Sequence, residues 1–294
     1  MDFKRVIWIL TAAVIACACA GIEAPGYIRT TDTEEQGNTS GTGETNPGDG
    51  TGTDPDDEGG ETPDDGDIQF PDPILKAYIL YLYDADGDGF LNKEEACSVN
   101  RIQIRNNDLE SARGIEHLPY LVELSLNGAA NSESLPSDGK LTSVDVSHNT
   151  LLRTLIFDYQ NLTELDVSHN TNLTYLGVFK SPIKSIDVHN NVNLELLGTG
   201  FCQLDSIDVS GLEKLDELQL DHNKLTRIKL SDNKVLRCIN ASYNRLTELD
   251  LTGCPRIEEI HTEGNPGLKT ITLKKGQFPG ILTKDPETTL EYVD

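Results

Sequence analysis

The sequence predicts a curved, right-handed solenoid of short β-strands and turns, preceded by a small helical cap. Three observations predict it. A 21-residue unit recurs six times without a gap from Leu141 to Pro266. Aliphatic residues return to the same places in every unit, as in LTSVDVSHNTLLRTLIFDYQN and LTELDVSHNTNLTYLGVFKSP. A complete calcium-loop pattern stands just before the first unit. A fixed period of this length means that each unit buries its apolar edge only by stacking on its neighbours. Such an array offers an extended surface for contact rather than a closed pocket.

The elements follow in chain order. Lys4 and Arg5 precede a mostly apolar run of 11 residues, Val6 to Ala16. A membrane-spanning helix needs about 20, so the run reads as a signal peptide, outside the fold. Val14-Ile15-Ala16-Cys17 resembles a bacterial lipobox. That resemblance implies a lipid on Cys17, with 1–19 as signal and lipidation region; Cys19 is the alternative.

Between Thr30 and Asp67 there is no Val, Ile, Leu, Met, Phe, Trp, Tyr, Cys or Ala, and no Lys or Arg. Such a stretch buries too little to offset chain entropy, so residues 20–73 are expected to be a disordered, extended tether. Residues 30–67 hold 13 carboxylates, against a net charge of −25 for the chain. The acidity is therefore largely a tether property. The absence of a clustered basic face argues against nucleic acid. The remaining cysteines, Cys97, Cys202, Cys238 and Cys254, form no CxxC pair. They read as small buried hydrophobes, not as a disulfide or zinc framework.

Residues 74–98 form the predicted cap. Asp84 to Glu95, DADGDGFLNKEE, satisfies D-x-[DN]-x-[DN]-G-x5-E throughout. Asp84, Asp86 and Asp88 offer oxygens on alternate residues and Gly89 permits the turn. Phe90 offers its carbonyl, Asn92 a water-bridged ligand and Glu95 a bidentate closure. Leu75, Ile79 and Leu82 stand at helical spacing before the loop, with Tyr78 and Tyr83 beside them. A short exiting helix is expected from about Lys93. One EF-hand-like loop without a mate predicts a structural calcium rather than a switch.

The solenoid, 99–294, is expected to hold about nine repeats. Its strand-bearing half begins in turn at Val99, Leu121, Leu152, Leu173, Leu194, Leu215, Leu236 and Ile257. One more step of 21 places a degenerate ninth copy at Phe278, Ile281 and Thr283. The insertion NGAANSESLPSDGK should project as a loop. Side chains alternate along a strand, so positions 1, 4 and 6 point inward and 3, 5 and 7 outward on a concave sheet. Asn107, Asn223, Asn244 and Asn265 are expected to bond buried backbone groups of the next coil. Asp145, Asp166, Asp187, Asp208 and Asp250 recur at one place, as turn caps or as a cation ladder. His148 and His169 also align. No Ser-His-Asp set, HExxH or phosphate loop appears.

This pattern resembles the leucine-rich repeat family. Its nested form, with LDVS in the second half, resembles the bacterial IRREKO-type repeats and internalin-like surface proteins. With the lipobox, acidic tether and calcium loop, the arrangement resembles surface lipoproteins of the Bacteroides group. The resemblance implies a non-enzymatic, monomeric binding protein in the cell envelope. It would be lipid-anchored to the outer membrane, either surface-exposed or facing the periplasm. Its ligand would be a protein or a glycan. Contact with the membrane would be through the lipid only.

The outward positions expected to carry the ligand are Ile156, Tyr175 and Phe179, with Leu196. Tyr159 and Phe201 lie at strand ends and Tyr243 two coils beyond. Contiguous exposed aromatics mark interaction sites. Glu217, Asp221, Glu259, His261 and Glu263 form an acidic flank suited to a basic partner. The competing reading is an accessory structural protein, or a hydrolase using carboxylates such as Glu217, Glu259 and Glu263. Glycoside hydrolysis needs two of them about 5–9 Å apart.

Overall fold

The computed structural model describes residues 66–129 and 139–294. The signal region, Cys17, Cys19, the tether to residue 65 and most of the insertion (130–138) lie outside the described residues. No helix among the described residues is long and apolar enough to cross a membrane.

Helix α1, Pro73–Tyr83, starts at Asp72. Asp72 Oδ1 accepts the N–H groups of Ile74 and Leu75, satisfying donors that have no partner within the helix. Its Oδ2 accepts those of Glu110 and Ser111, at 2.8 and 3.0 Å. One buried carboxylate therefore ties the cap to the first coil. Leu75 and Ile79 are fully buried, whereas Leu82 is 48% exposed. Helix α1 reaches the solenoid through its tyrosines as well. Tyr83 Oη donates to Arg101 O at 2.7 Å, and Tyr78 Oη accepts the Gln103 N–H at 3.1 Å. Both bonds close the free edge of the first solenoid strand, the edge most prone to unwanted pairing. The exiting helix α2, Lys93–Ala96, is a single turn with a capping box between Asn92 and Glu95.

The solenoid carries a nine-stranded parallel sheet, ordered β1-β2-β3-β4-β5-β7-β9-β11-β13. Its strands are β1 (Arg101–Arg105), β2 (Glu123–Asn127), β3 (Thr154–Ile156), β4 (Tyr175–Gly177) and β5 (Leu196–Gly198), then β7 (Glu217–Gln219), β9 (Cys238–Asn240), β11 (Glu259–His261) and β13 (Ile281–Thr283). The other side holds a pair, β6 (Ser206–Asp208) and β8 (Arg227–Lys229). It also holds a trio, β10 (Glu248–Asp250), β12 (Thr270–Lys274) and β14 (Thr289–Val293). The strands are short because the chain must round a complete coil in 21 residues. Register follows the period: Leu155 pairs with Leu176, that with Leu197, that with Leu218. These leucines are fully buried, as are Ile239 and Ile260. Burying each stabilises by about 1.5–3 kcal/mol.

The ninth coil departs from the expected register. Ile260 pairs with Leu282, not Ile281, so this coil is one residue longer. A slip of one residue exchanges the faces of a strand. Ile281 and Thr283 therefore turn outward, and Phe278 is 80% exposed rather than buried.

Asn107 Oδ1 accepts the Ala129 N–H of the next coil at 2.6 Å, as expected, but the buried asparagines Asn223, Asn244 and Asn265 reach the preceding coil instead. Asn244 Nδ2 donates to Leu220 O at 2.9 Å, and its Oδ1 accepts the Leu225 N–H at 2.9 Å. Asn223 and Asn265 repeat the pattern. Gln160, Ser181 and Cys202 occupy the same column in earlier coils, bonding Leu126, Phe157 and Val178 carbonyls. A second column, Asn149, Asn170, Asn191 and Asn233, serves the other side. Each donates twice to carbonyls of the coil before, while its oxygen has no partner.

The recurrent aspartates cap turns. Asp145, Asp166, Asp187, Asp208 and Asp250 each accept the N–H two residues on. Asp208 also meets Lys229 across the coils at 2.7 Å. His148 and His169 each bond the serine before them. The cysteines divide: Cys202 and Cys254 are buried, but Cys97 is exposed and Cys238 partly so. Both of the latter stand at solvent-facing places of their elements.

Candidate binding face

Outward positions 3, 5 and 7 of six successive strands, β3 to β11, place eighteen residues on one side of the sheet; Ile156, Asn240 and Ser242 and the glycines among them are buried. Its apolar half holds Ile156, Tyr175, Phe179 and Leu196, with Gly177, Gly198 and Gly200 between them. Its polar half holds Glu217, Gln219, Asp221, Cys238, Asn240, Ser242, Glu259, His261 and Glu263. Across all eighteen positions there are five carboxylates, counting Asp158, and no Lys or Arg.

Ile156 holds an outward register position yet is only 5% exposed. The reason is its neighbour Gly177. With no side chain there, Tyr175 leans into the gap. A Cβ on Gly177 would lie 3.2 Å from Tyr175 Cε1 and 3.5 Å from Ile156 Cγ2. Tyr175 is half-buried, and burial first, then the charges of Asp158 and Glu217, push its hydroxyl well above the ordinary tyrosine range. Phe179 lies similarly over Gly200, its ring within 3.1 Å of the place a Cβ would take.

Along the edge of this surface runs a stack of rings. Centroids are 5.5 Å apart for Tyr159–Phe179, 5.1 Å for Phe179–Phe201, 3.9 Å for Phe201–His222 and 4.4 Å for His222–Tyr243. The last two pairs are nearly parallel, at 12° and 22°. Tyr159, Lys180, Phe201, His222 and Tyr243 occupy one column and share a left-handed backbone, φ 54–58°. Gly264 continues the column beneath Tyr243. His222 is the member that sequence reasoning missed. Its signal was the step of 21 from Phe201 to His222 to Tyr243. Phe201, His222 and Tyr243 turn faces toward one another, whereas Tyr159–Phe179 and Phe179–Phe201 meet at 58° and 57°. Tyr243, at the end of the stack, is 46% exposed.

The acidic half is internally tied. His222 Nδ1 lies 2.9 Å from Asp221 Oδ2. His261 Nδ1 lies 3.0 Å from Thr283 Oγ1, whose hydroxyl donates to Glu263. His261 Nε2 is 3.8 Å from Glu259. Burial, then Asp216 and Glu259, raises the Glu217 carboxyl, with Arg237 opposing. Strand β9 separates Glu217 from Glu259 and places Cys238 between them. Burial first, then Glu259 and Glu217, pushes the Cys238 thiol up to about 12, so it stays protonated.

At the cap, oxygens of Asp84, Asp86 and Asp88 all lie within 4.8 Å of one another. Asp84 accepts the Gly87 and Gly89 N–H groups at 2.7 and 3.0 Å. The Phe90 N–H donates to Asp88. Asn92 Oδ1 caps α2, and Glu95 accepts the Ala85 and Asn92 N–H groups at 2.7 and 3.1 Å.

The coil, its inward leucines and its asparagine columns define a leucine-rich repeat solenoid of about nine turns. No family profile and no curated protein matches the chain. Among solved structures, the leucine-rich repeat domain of APL1B is similar at 14% identity and a TM-score of 0.50, over 67% of this chain and 63% of that one. The functional domain of InlJ from Listeria monocytogenes gives 23% identity and 0.44, over 76% and 60%. Internalin C2 from the same species gives 19% and 0.42, over 69% and 94%. The chain thus spans under two thirds of the first two. The likeness to the APL1B domain supports the fold.

Proposed function

We propose that this chain is a non-enzymatic binding protein of the cell envelope, which recognises a protein ligand through the long sheet. The observation that carries the reading is the eighteen-position face, apolar at one end and acidic at the other, without Lys or Arg. Protein is favoured over glycan because sugar stacking needs exposed ring faces. Here Phe201, His222 and Tyr243 spend theirs on one another. The test is a screen of the full chain against panels of extracellular-matrix proteins and of glycans. Hits should fall among proteins with basic patches. Tyr175→Ala with Glu259→Lys should weaken them at least about tenfold, as loss of one aromatic anchor and one charge pair would. Phe179 is left intact because its ring belongs to the stack. Binding unchanged by this pair of substitutions, or confined to glycans, would overturn the reading.

Attachment through a lipid on Cys17 belongs to the same proposal and is motivated by Val14-Ile15-Ala16-Cys17. Cys17→Ser should move the protein out of the membrane fraction. If Cys19→Ser does so instead, the anchor is the other cysteine.

A structural calcium is proposed at the cap, on Asp84, Asp86, Asp88, the Phe90 carbonyl, Asn92 and Glu95. The three aspartates suit a hard cation. Asp86 shows the crowding: its bond from the Asp88 N–H lowers its carboxyl, yet desolvation and the charges of Asp88, Glu95 and Asp84 raise it overall. Extracellular calcium modules bind at about 10⁻⁴–10⁻³ M. Calcium at 10 mM should then stabilise the fold by about 1.4–2.7 kcal/mol through mass action. Asp84→Ala should remove that increment. A melting curve insensitive to calcium in the unaltered protein would sink the proposal.

A further inference from the structure

We propose that Asp158 is the anchor point of the long sheet, and that it takes one arginine side chain from an extended segment of a protein partner. The proposal rests on the reading of this sheet as the binding face and adds which atom binds and what it binds. Asp158 follows β3 at outward position 7. Its Oδ1 accepts the Phe179 N–H at 2.9 Å, while its Oδ2 takes no hydrogen bond among the described residues. Among the described residues no cation forms an ion pair with it. Arg105 is near enough to act on its charge but does not reach it.

The surroundings suit a long apolar stem with a flat charged head. Asp158 Oδ1, Tyr175 Cε1 and Ile156 Cγ2 converge within 3.6 Å of the point where a Gly177 side chain would begin. Tyr175 leans over that point, which brings its ring beside the Asp158 carboxylate. Lys180 already sits over the Tyr159 ring at 5.5 Å, so this edge of the sheet accommodates cation–ring contact. A guanidinium stacks on aromatic faces and meets a carboxylate at once, which an ammonium does less well. The following coils add Glu217, Asp221, Glu259 and Glu263 and no basic group, so the field along the sheet draws a cationic segment toward it.

A partly desolvated carboxylate without an ion-pair partner should be costly in its charged form, and it is. Burial pushes the Asp158 carboxyl up to about 6, against the Phe179 N–H and Arg105, which pull it down. The groups that face it are Arg105 on β1, Tyr159 with Lys180 at the edge, Tyr175 on β4, and the thiol of Cys202. That thiol, pushed up to about 12, stays neutral. Asp158 therefore titrates between pH 5 and 7. An arginine binds only the ionised form, so affinity should rise about tenfold across that interval.

The experiment uses the full chain, a hexapeptide of alternating leucine and arginine, and the same peptide with citrulline, the neutral isostere, for arginine. Titrations at pH 5 and pH 7 are followed by calorimetry and by the Phe179 amide resonance, which reports on the Asp158 carboxylate. The arginine peptide should bind at least tenfold better than the citrulline peptide at pH 7, and should lower the pH at which the Phe179 resonance moves. Asp158→Asn keeps an acceptor for Phe179 N–H, so the fold should survive. It should lose both the arginine preference and the pH dependence. An Asp158→Asn protein that still prefers arginine and still responds to pH overturns the proposal. If Tyr175→Ala weakens the peptide while Asp158→Asn does not, the face stands and the anchor is wrong. If neither substitution matters, the face itself is wrong. A neutral oligosaccharide that displaces the peptide equally from both proteins also overturns it.

Discussion

Asn244→Ala should destabilise the solenoid by about 2–4 kcal/mol. Asn244 is buried and saturated. Its amide donates toward the Leu220, Ala241 and Ser242 carbonyls, and its oxygen accepts the Leu225 N–H. Truncation leaves the Leu225 N–H in the interior with no acceptor. An orphaned buried donor bears the full desolvation penalty, which water cannot relieve. The companion column gives the internal control. Asn191 donates to the Val167 and Asn170 carbonyls, but its own oxygen has no partner. Asn191→Ala removes an unsatisfied oxygen along with two donations, and carbonyls tolerate under-satisfaction better than N–H groups. It should cost at least about 1 kcal/mol less than Asn244→Ala. Urea denaturation of the two variants decides the matter: equal losses would show that the saturated column is worth no more than the unsaturated one.

The second large effect concerns the ring stack and carries an inverted sign. Phe201 sits at φ 55°, between Phe179 at 5.1 Å and His222 at 3.9 Å. Phe201→Ala should lose about 2–3 kcal/mol of burial and stacking. It also keeps a Cβ in a backbone region that disfavours one by about 1–2 kcal/mol. Phe201→Gly loses the same contacts but relieves that strain. Glycine should therefore be the milder substitution by about 1 kcal/mol, the reverse of the usual order inside regular structure. Thermal melts of the two variants measure the difference. If alanine is the milder, the left-handed turn carries no strain. The stack would then not be what holds five bulky residues in that conformation.

Much of the candidate face was legible in the sequence because it follows from a period. Steps of 21 from Leu155 give Leu176, Leu197 and Leu218, and the strands pair in that register. Placing Tyr175, Phe179, Glu217, Asp221 and Glu259 on one side needs only the alternation of a strand. What the period does not carry is the state of a residue once its neighbours in adjacent coils are set. Ile156 belongs to the outward side, yet Gly177 lets Tyr175 fold down beside it. Asp158 reads as an ordinary surface carboxylate. It becomes an unpaired one near pKa 6 only because Phe179, Tyr175 and Ile156 surround it. The ring edge was half legible, since Tyr159, Phe179, Phe201 and Tyr243 were in view and His222 was not.

The sequence by itself determined a stacked coil of about nine turns, which residues line its core, and the loop of three aspartates at its N-terminal end. These follow from spacing, and spacing is a local property of the chain. Only the tertiary structure decided the one-residue slip that turns Phe278 outward. It alone set the direction in which Asn244 reaches, and the convergence of side chains on the Gly177 floor. Each of those depends on contacts between residues about one coil apart, where packing distance and desolvation act. No repeat length states how a side chain will lean once its neighbour is a glycine.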